Sequence, residues 1–247
     1  MGLFEKLIKK KRTPKTVALI AAAGSGSRMD GSVPDKLFYK INGKEVIART
    51  LAAFEKAETI DAVVVVTRGD LVGDVYALAK EIGISKLASV TRGADSRAES
   101  VVCGLKDVPA DAEFITVADG ARPFVSPFVI DEVSRAAYKS GAAAACAEVT
   151  DTIKMLDASA AISKTLDRSR LVAMQTPQCF RLSDYKKAVE AAAGSLRDLT
   201  DDCAVMEKAG VKVTPVFSDR LNIKITRPED LVIAEAIAAA RDEGEKE

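Results

Sequence analysis

Two stretches of this chain, "TVALIAAAG" (16–24) and "DAVVVVTRG" (61–69), hold apolar runs without a charge or a polar alternation inside them. A strand of that kind is buried on both faces, and burial on both faces requires layers of helix above and below the sheet. The helices are visible in between. "EVIARTLAAFEKA" (45–57), "DVYALAKEIG" (74–83) and "RAESVVCGLKDV" (97–108) carry apolar residues at helical spacing. "SPFVIDEVSRAAYKSG" (126–141) opens on Ser126 and Pro127 and stops at Gly141, the punctuation of a capped helix. "EFITVADGARPF" (113–124) and "AAAACAEV" (142–149) return as strands. Alternation of this kind predicts an α/β fold with a mainly parallel sheet, its strand C-termini lined up along one edge where ligands bind.

Only the segment from 148 to 180 departs from the alternation. "TDTIKMLD" and "AISKTLDRSRLVAMQ" read as extended pieces around an Ala-Ser turn, which predicts a hairpin arm. A lone two-stranded hairpin is marginal in water, so an arm needs a surface to lie on. At 247 residues and 48% apolar, the remainder suffices for one large domain over 16–247. A basic amphipathic tail, 1–15, precedes it and lacks the apolar region of a signal peptide.

Composition excludes several function classes. Acidic and basic residues balance at 36 each, which argues against a general nucleic-acid binder. No apolar run reaches the roughly 18 residues of a membrane span. Cys103, Cys146, Cys179 and Cys203 form no CxxC pair, so they predict free thiols in a reducing, cytoplasmic setting rather than a zinc site. The chain has no histidine, which removes His-based triads and His general bases. Catalysis must rest on lysine, arginine, carboxylates, hydroxyls, backbone groups or a metal.

Four clusters could carry it. Gly24-Ser25-Gly26 ends the first strand and is followed by Arg28 and Lys36, a glycine turn flanked by cations that suits an anion as well as it suits a tight connection. It matches neither G-x-G-x-x-G, since Met29 stands at the third glycine, nor a P-loop. "TRGADSRAES" holds Asp95, Arg97 and Ser100 at a helix entry, where Ser96 and Glu99 alone would make a capping box. "TVADGARP" puts Asp119 at the sheet's C-terminal edge, as a magnesium ligand or as an Asx turn. "RLNIKITRPEDL" sets Lys224 in an alternating strand, with Thr226 and Glu229 as the cap of a last helix.

Taken in order, A-A-A-G-x-G-x-R-M, P-x-K, G-x-D-x-R-x-x-S, D-x-A-R-P, D-T-I-K, T-P-Q and N-I-K-I-T-R-P-E-D closely resemble the 2-C-methyl-D-erythritol 4-phosphate cytidylyltransferases of the non-mevalonate isoprenoid pathway, from about residue 16 to 240. The resemblance implies a Rossmann-like nucleotidyltransferase with a protruding β-arm, a homodimer that uses CTP, a sugar-alcohol phosphate and Mg²⁺. It implies that Ala22, Ala23, Gly24 and Gly26 wrap the nucleotide and that Arg28 and Lys36 meet the triphosphate. Asp95, Arg97 and Ser100 would lie by cytosine and ribose, and Asp119 would hold the metal. Thr152, Arg168 and Lys224 would meet the phosphoalcohol, with Arg168 coming from the partner's arm. Departures stand at Asp35, which separates Pro34 from Lys36, at Leu221 before "NIK", and at Ala118 and Gly120 in "ADGARP". Rival readings are a ribitol 5-phosphate cytidylyltransferase, a sugar-1-phosphate nucleotidyltransferase and a non-catalytic nucleotide-binding scaffold.

Overall fold

A computed structural model describes residues 13–24, 26, 29 and 35–244. Most of the basic tail and Arg28 lie outside the described residues. In chain order the strands are β1 (Thr16–Ala22), β2 (Lys40–Ile41), β3 (Lys44–Glu45), β4 (Ala62–Thr67), β5 (Leu87–Arg92), β6 (Phe114–Asp119), β7 (Ala142–Glu148), β8 (Lys154–Leu156), β9 (Ile162–Thr165), β10 (Val172–Arg181) and β11 (Thr214–Phe217). The helices are α1 (Val46–Lys56), α2 (Val72–Glu81), α3 (Arg97–Gly104), α4 (Pro127–Ser140), α5 (Leu182–Ala191), α6 (Asp202–Lys208) and α7 (Pro228–Gly244).

Seven strands form one sheet in the order β11-β7-β10-β6-β1-β4-β5. All run parallel except β10, which is antiparallel to both β6 and β7. The apolar runs divide their side chains between two cores, as strands buried on both faces must. Ala18, Ile20, Val63 and Val65 pack under α1, α2 and α7, with Ile130 of α4 on the same side. Val17, Leu19, Val64 and Val66 pack under α3, α5 and α6.

Local signals account for the helix ends. Ser126 Oγ accepts from Val129 N at 3.2 Å, Pro127 follows at the first helical position, and Gly141 closes α4 at φ +89°. Ser96 and Glu99 form the reciprocal capping box of α3. The cap expected at Thr226 and Glu229 is corrected. Asp230 Oδ2 accepts from the N–H groups of Thr226 (2.7 Å) and Arg227 (2.8 Å), while the Thr226 hydroxyl donates to Lys224 O. The strand expected around Lys224 is absent too. Residues 222–226 are irregular, tied by Ile225 N to Ala121 O (2.8 Å) rather than by a strand ladder.

The segment between β7 and β10 leaves the sheet at the C-terminal edge. Lys154 pairs with Thr165 and Met155 with Lys164 in a two-stranded β8–β9 hairpin. Asp157 Oδ1 caps its turn, accepting from Ser159 N (2.8 Å) and Ala161 N (3.1 Å). The extended reading of the returning strand is interrupted by a 3₁₀ turn at Arg168–Arg170. From Gln175 to Phe180 the chain is buried inside the main sheet, so the projecting piece is shorter than 148–180.

Candidate active site

Strands β1, β4, β5 and β6 end at Ala22, Thr67, Arg92 and Asp119, and the parallel arrangement brings all four ends to one edge. A cleft of about 850 Å³ runs along it. Its lining holds five cations, Lys36, Arg68, Arg92, Arg97 and Lys224, against three carboxylates, Asp70, Asp95 and Asp119. An excess of positive charge in a concave site favours an anionic ligand.

Ala22, Ala23 and Gly24 line the cleft directly. Gly26 takes φ +67°, and its carbonyl accepts from Met29 N at 2.8 Å, closing the turn. Opposite, β5 runs into α3 through Gly93. A Cβ at Gly93 would stand 2.7 Å from both Ala23 Cβ and Ser100 Oγ, so only glycine lets these two walls approach. Ser100 is 1% exposed; its hydroxyl accepts from Ala94 N at 3.0 Å and lies 2.8 Å from Ser96 O. Asp95 is exposed at the rim. Gly93→Ala should force the walls apart, and if the nucleotide that the sequence resemblance implies binds here, its KM should rise about tenfold with kcat changed less, measured by initial rates.

Asp119 sits where this cleft meets a second one of about 440 Å³, and Arg97 and Lys224 line both. The second is lined by Arg122, Gln175, Thr176, Gln178, Thr200 and Asp201 among others. Asp119 Oδ1 lies 3.2 Å from Arg97 Nε, and Oδ2 lies 3.2 Å from Arg122 Nε and 3.0 Å from Lys224 Nζ. Burial opposes the charge on Asp119, but Lys224, Arg97 and Arg122 outweigh it and hold the carboxyl well below the usual carboxylate range. It is therefore ionised at neutral pH. The turn after it is closed by its backbone carbonyl, which accepts from Arg122 N at 3.2 Å, so its side chain is not spent on an Asx turn.

The motifs that surround Asp119 act as its supports. Thr176 Oγ1 accepts from Asp119 N at 3.0 Å, and Gln178 Oε1 accepts from the N–H groups of Asp202 (3.1 Å) and Cys203 (3.0 Å) at the start of α6. Asn222 donates through Nδ2 to Thr176 O (2.9 Å), while its own carbonyl accepts from Arg122 Nη1 (2.7 Å). Thus "TPQ" and "NIK" meet across the sheet edge. Arg97 is held on two sides, by Asp119 and by Asp202 Oδ2 at 2.7 Å. Asp202 in turn accepts from the buried Tyr185 hydroxyl. Sequence reasoning left out Arg122, Arg68, Arg92, Thr200 and Asp202. Arg122 alone had a signal, its place in "DGARP".

Lys36 Nζ donates to Ile225 O at 3.1 Å, one residue from Lys224. Thr152 and Arg168 are exposed on the projecting arm and line neither cleft; Arg168 Nη1 bonds Thr150 O of the same arm.

Residues 16–240 match the model of the family described as IspD: 2-C-methyl-D-erythritol 4-phosphate cytidylyltransferase. The chain belongs to this family. Among curated members, the 2-C-methyl-D-erythritol 4-phosphate cytidylyltransferase of Geobacillus kaustophilus is 41% identical over 91% of this chain and 97% of its own length. That of Syntrophus aciditrophicus is 38% identical over 90% of this chain and 95% of its own. The solved 4-diphosphocytidyl-2C-methyl-D-erythritol synthase of Anaerococcus prevotii superposes with a TM-score of 0.82 at 28% identity, covering 92% of this chain and 97% of that one.

Proposed function

We infer that this chain transfers CMP from CTP to 2-C-methyl-D-erythritol 4-phosphate, releasing pyrophosphate and forming the CDP-alcohol of isoprenoid precursor synthesis. The observation that carries this reading is the junction of two clefts at Asp119, with Lys224 and Arg97 on both sides. The larger, along the glycine turn, takes CTP through Ala22, Ala23, Gly24 and Gly26, with the base toward Gly93, Asp95 and Ser100. The smaller takes the phosphoalcohol, and its wall adds Arg122 and Thr200 to Lys224. Arg97 serves the junction rather than the base.

The chemistry suits a chain without histidine. The nucleophile is a phosphate monoester with a second pKa of about 6, already anionic at neutral pH, so no general base is needed. One of its oxygens attacks the α-phosphorus, and the bond from that phosphorus to the pyrophosphate oxygen breaks. The obstacle is repulsion between two anions. Lys36, Arg28 and Lys224 answer it by holding both in line and by offsetting charge that gathers at the α-phosphate.

Asp119 is the residue that would hold Mg²⁺. Among the described residues no group of three His, Cys, Asp or Glu could hold a metal by itself. A single ionised carboxylate at the cleft junction fits the other arrangement, in which Mg²⁺ takes few protein oxygens and the rest from substrate phosphates and water. When bound, the metal neutralises phosphate charge. Magnesium titrated into the nucleotide-free protein should therefore give no saturable heat, whereas with CTP present the protein should add saturable heat beyond that of a protein-free CTP blank. Asp119→Asn should abolish this protein-dependent excess and lower turnover about a hundredfold. A signal unchanged in that variant would assign Asp119 to cation packing alone.

The arm supports a dimer. Met155, Leu156, Ile162, Val172 and Met174 are exposed large apolar side chains on it or at its root, and burying one fully is worth about 1.5–3 kcal/mol. A second copy related by a two-fold axis would cover them and receive Thr152 and Arg168. A cytoplasmic location accords with the four unpaired thiols. Among the described residues no helix is long and apolar enough to cross a membrane. Pyrophosphate release with CTP against 2-C-methyl-D-erythritol 4-phosphate, ribitol 5-phosphate and sugar 1-phosphates tests the function. A higher kcat/KM on either of the latter would overturn the choice of acceptor, and no release with any would leave only the nucleotide-binding scaffold.

A further inference from the structure

Asp35 interrupts the Pro-Lys pair that the resemblance leads one to expect, and the fold puts it to use. Its two oxygens do different work. Oδ1 accepts from Leu37 N at 2.8 Å, which closes a turn across Lys36. Oδ2 lies 2.7 Å from Arg68 Nη1, off the line of a hydrogen bond, so the contact is an ion pair. Arg68 follows the end of β4 and is itself gripped by Asp70, through Nε (3.3 Å) and Nη2 (3.2 Å). On the other side of Lys36, Leu37 is 2% exposed and its carbonyl accepts from Ile47 N at 3.0 Å, which fastens it to α1.

Lys36 is thereby bracketed. One neighbour is pinned to the C-terminal end of β4 and the other to the core. The Asp35 and Arg68 side chains are only 12% and 28% exposed, so their attraction is less screened than that of a surface pair. We propose that Asp35 and Arg68 form a positioning pair that fixes the backbone of Lys36 so that its ammonium reaches the larger cleft at Ile225 O, next in the chain to Lys224. Asp35 is not among the residues that line the cleft, whereas Arg68 is, so Asp35→Asn is the variant that separates positioning from direct contact. The proposal rests on Lys36 acting at the triphosphate, and a misplacement of about 1 Å in such a group can cost as much as a hundredfold in rate.

Asp35→Asn separates the two tasks of Asp35, because the amide oxygen still closes the turn while the charge is gone. Asp35→Asn, Arg68→Gln and the double variant are compared by initial rates over a range of CTP and phosphoalcohol concentrations. Each should lower kcat/KM for CTP about tenfold, and the double variant should be no worse than either single one, as expected for two residues that act as a unit. KM for the phosphoalcohol and the midpoint of thermal unfolding should stay near those of the wild type. Asp35→Asn is then repeated on Lys36→Ala, where a pair that works only through Lys36 should change the rate by less than about twofold. An unaffected Asp35→Asn enzyme, a double variant with multiplied losses, or an equal loss on both backgrounds overturns the pair as a positioning device. Lys36→Ala alone reports on the underlying reading: if it is as active as wild type while Asp35→Asn is impaired, the role given to Lys36 fails, and this pair's role with it.

Discussion

Replacing Lys36 by alanine should lower turnover about a hundredfold, close to 3 kcal/mol of transition-state stabilisation, with little change in thermal stability. The asymmetry follows from where its atoms are. The backbone around it is held by Asp35, by the core residue Leu37 and by α1, none of which involves the ammonium. The ammonium meets the carbonyl of Ile225 beside Lys224, at the cleft. On the proposed reading, losing it removes one of the charges that face the triphosphate. A fall in kcat and kcat/KM together marks an interaction made in the transition state, and a rise in KM alone marks ground-state binding. Activity within about threefold of wild type would remove Lys36 from the triphosphate.

The second large effect is a recovery. Lys36→Ala and Arg168→Ala should each be nearly inactive, and mixing them with subunit exchange should restore roughly a quarter of wild-type activity. Lys36 lines the cleft of its own chain, while Arg168 lies on the arm and lines neither cleft of that chain. The arm departs from the same sheet edge as the clefts, between β7 and β10. If it crosses a two-fold axis, each site draws Lys36 from one chain and Arg168 from the other. With random pairing about half the dimers are mixed, each with one intact and one doubly altered site. If Arg168 serves its own chain, every site keeps a lesion and nothing returns. Sedimentation or mass measurement on tagged subunits verifies the exchange, so that a failure to recover counts against the shared site.

What the sequence by itself determined is the part of the molecule governed by local rules. The uncharged runs of β1 and β4 could only be strands covered on both faces, since any other placement exposes a continuous apolar surface. The caps of α3 and α4 are likewise local, made between residues three apart. The absence of histidine removed His-based triads and His general bases, and the ordered motifs pointed to the family. Tertiary structure decided the rest. Pro177 in "TPQ" argues against a central strand, because proline cannot donate to a ladder. Yet β10 lies between β6 and β7, with its register shifted between Met174 and Gln178 so that the proline falls at the irregularity. The alternating look of "NIKIT" suggests a strand, but the segment pairs with no strand; it instead sets Asn222 against Thr176 and Lys224 against Asp119. The motif of Arg97 names no partner for it, and only the fold brings Asp202, more than a hundred residues away, to hold it beside Asp119. Such pairings join residues far apart in the chain, and only the closing of the sheet edge decides which charges meet and which neutralise each other.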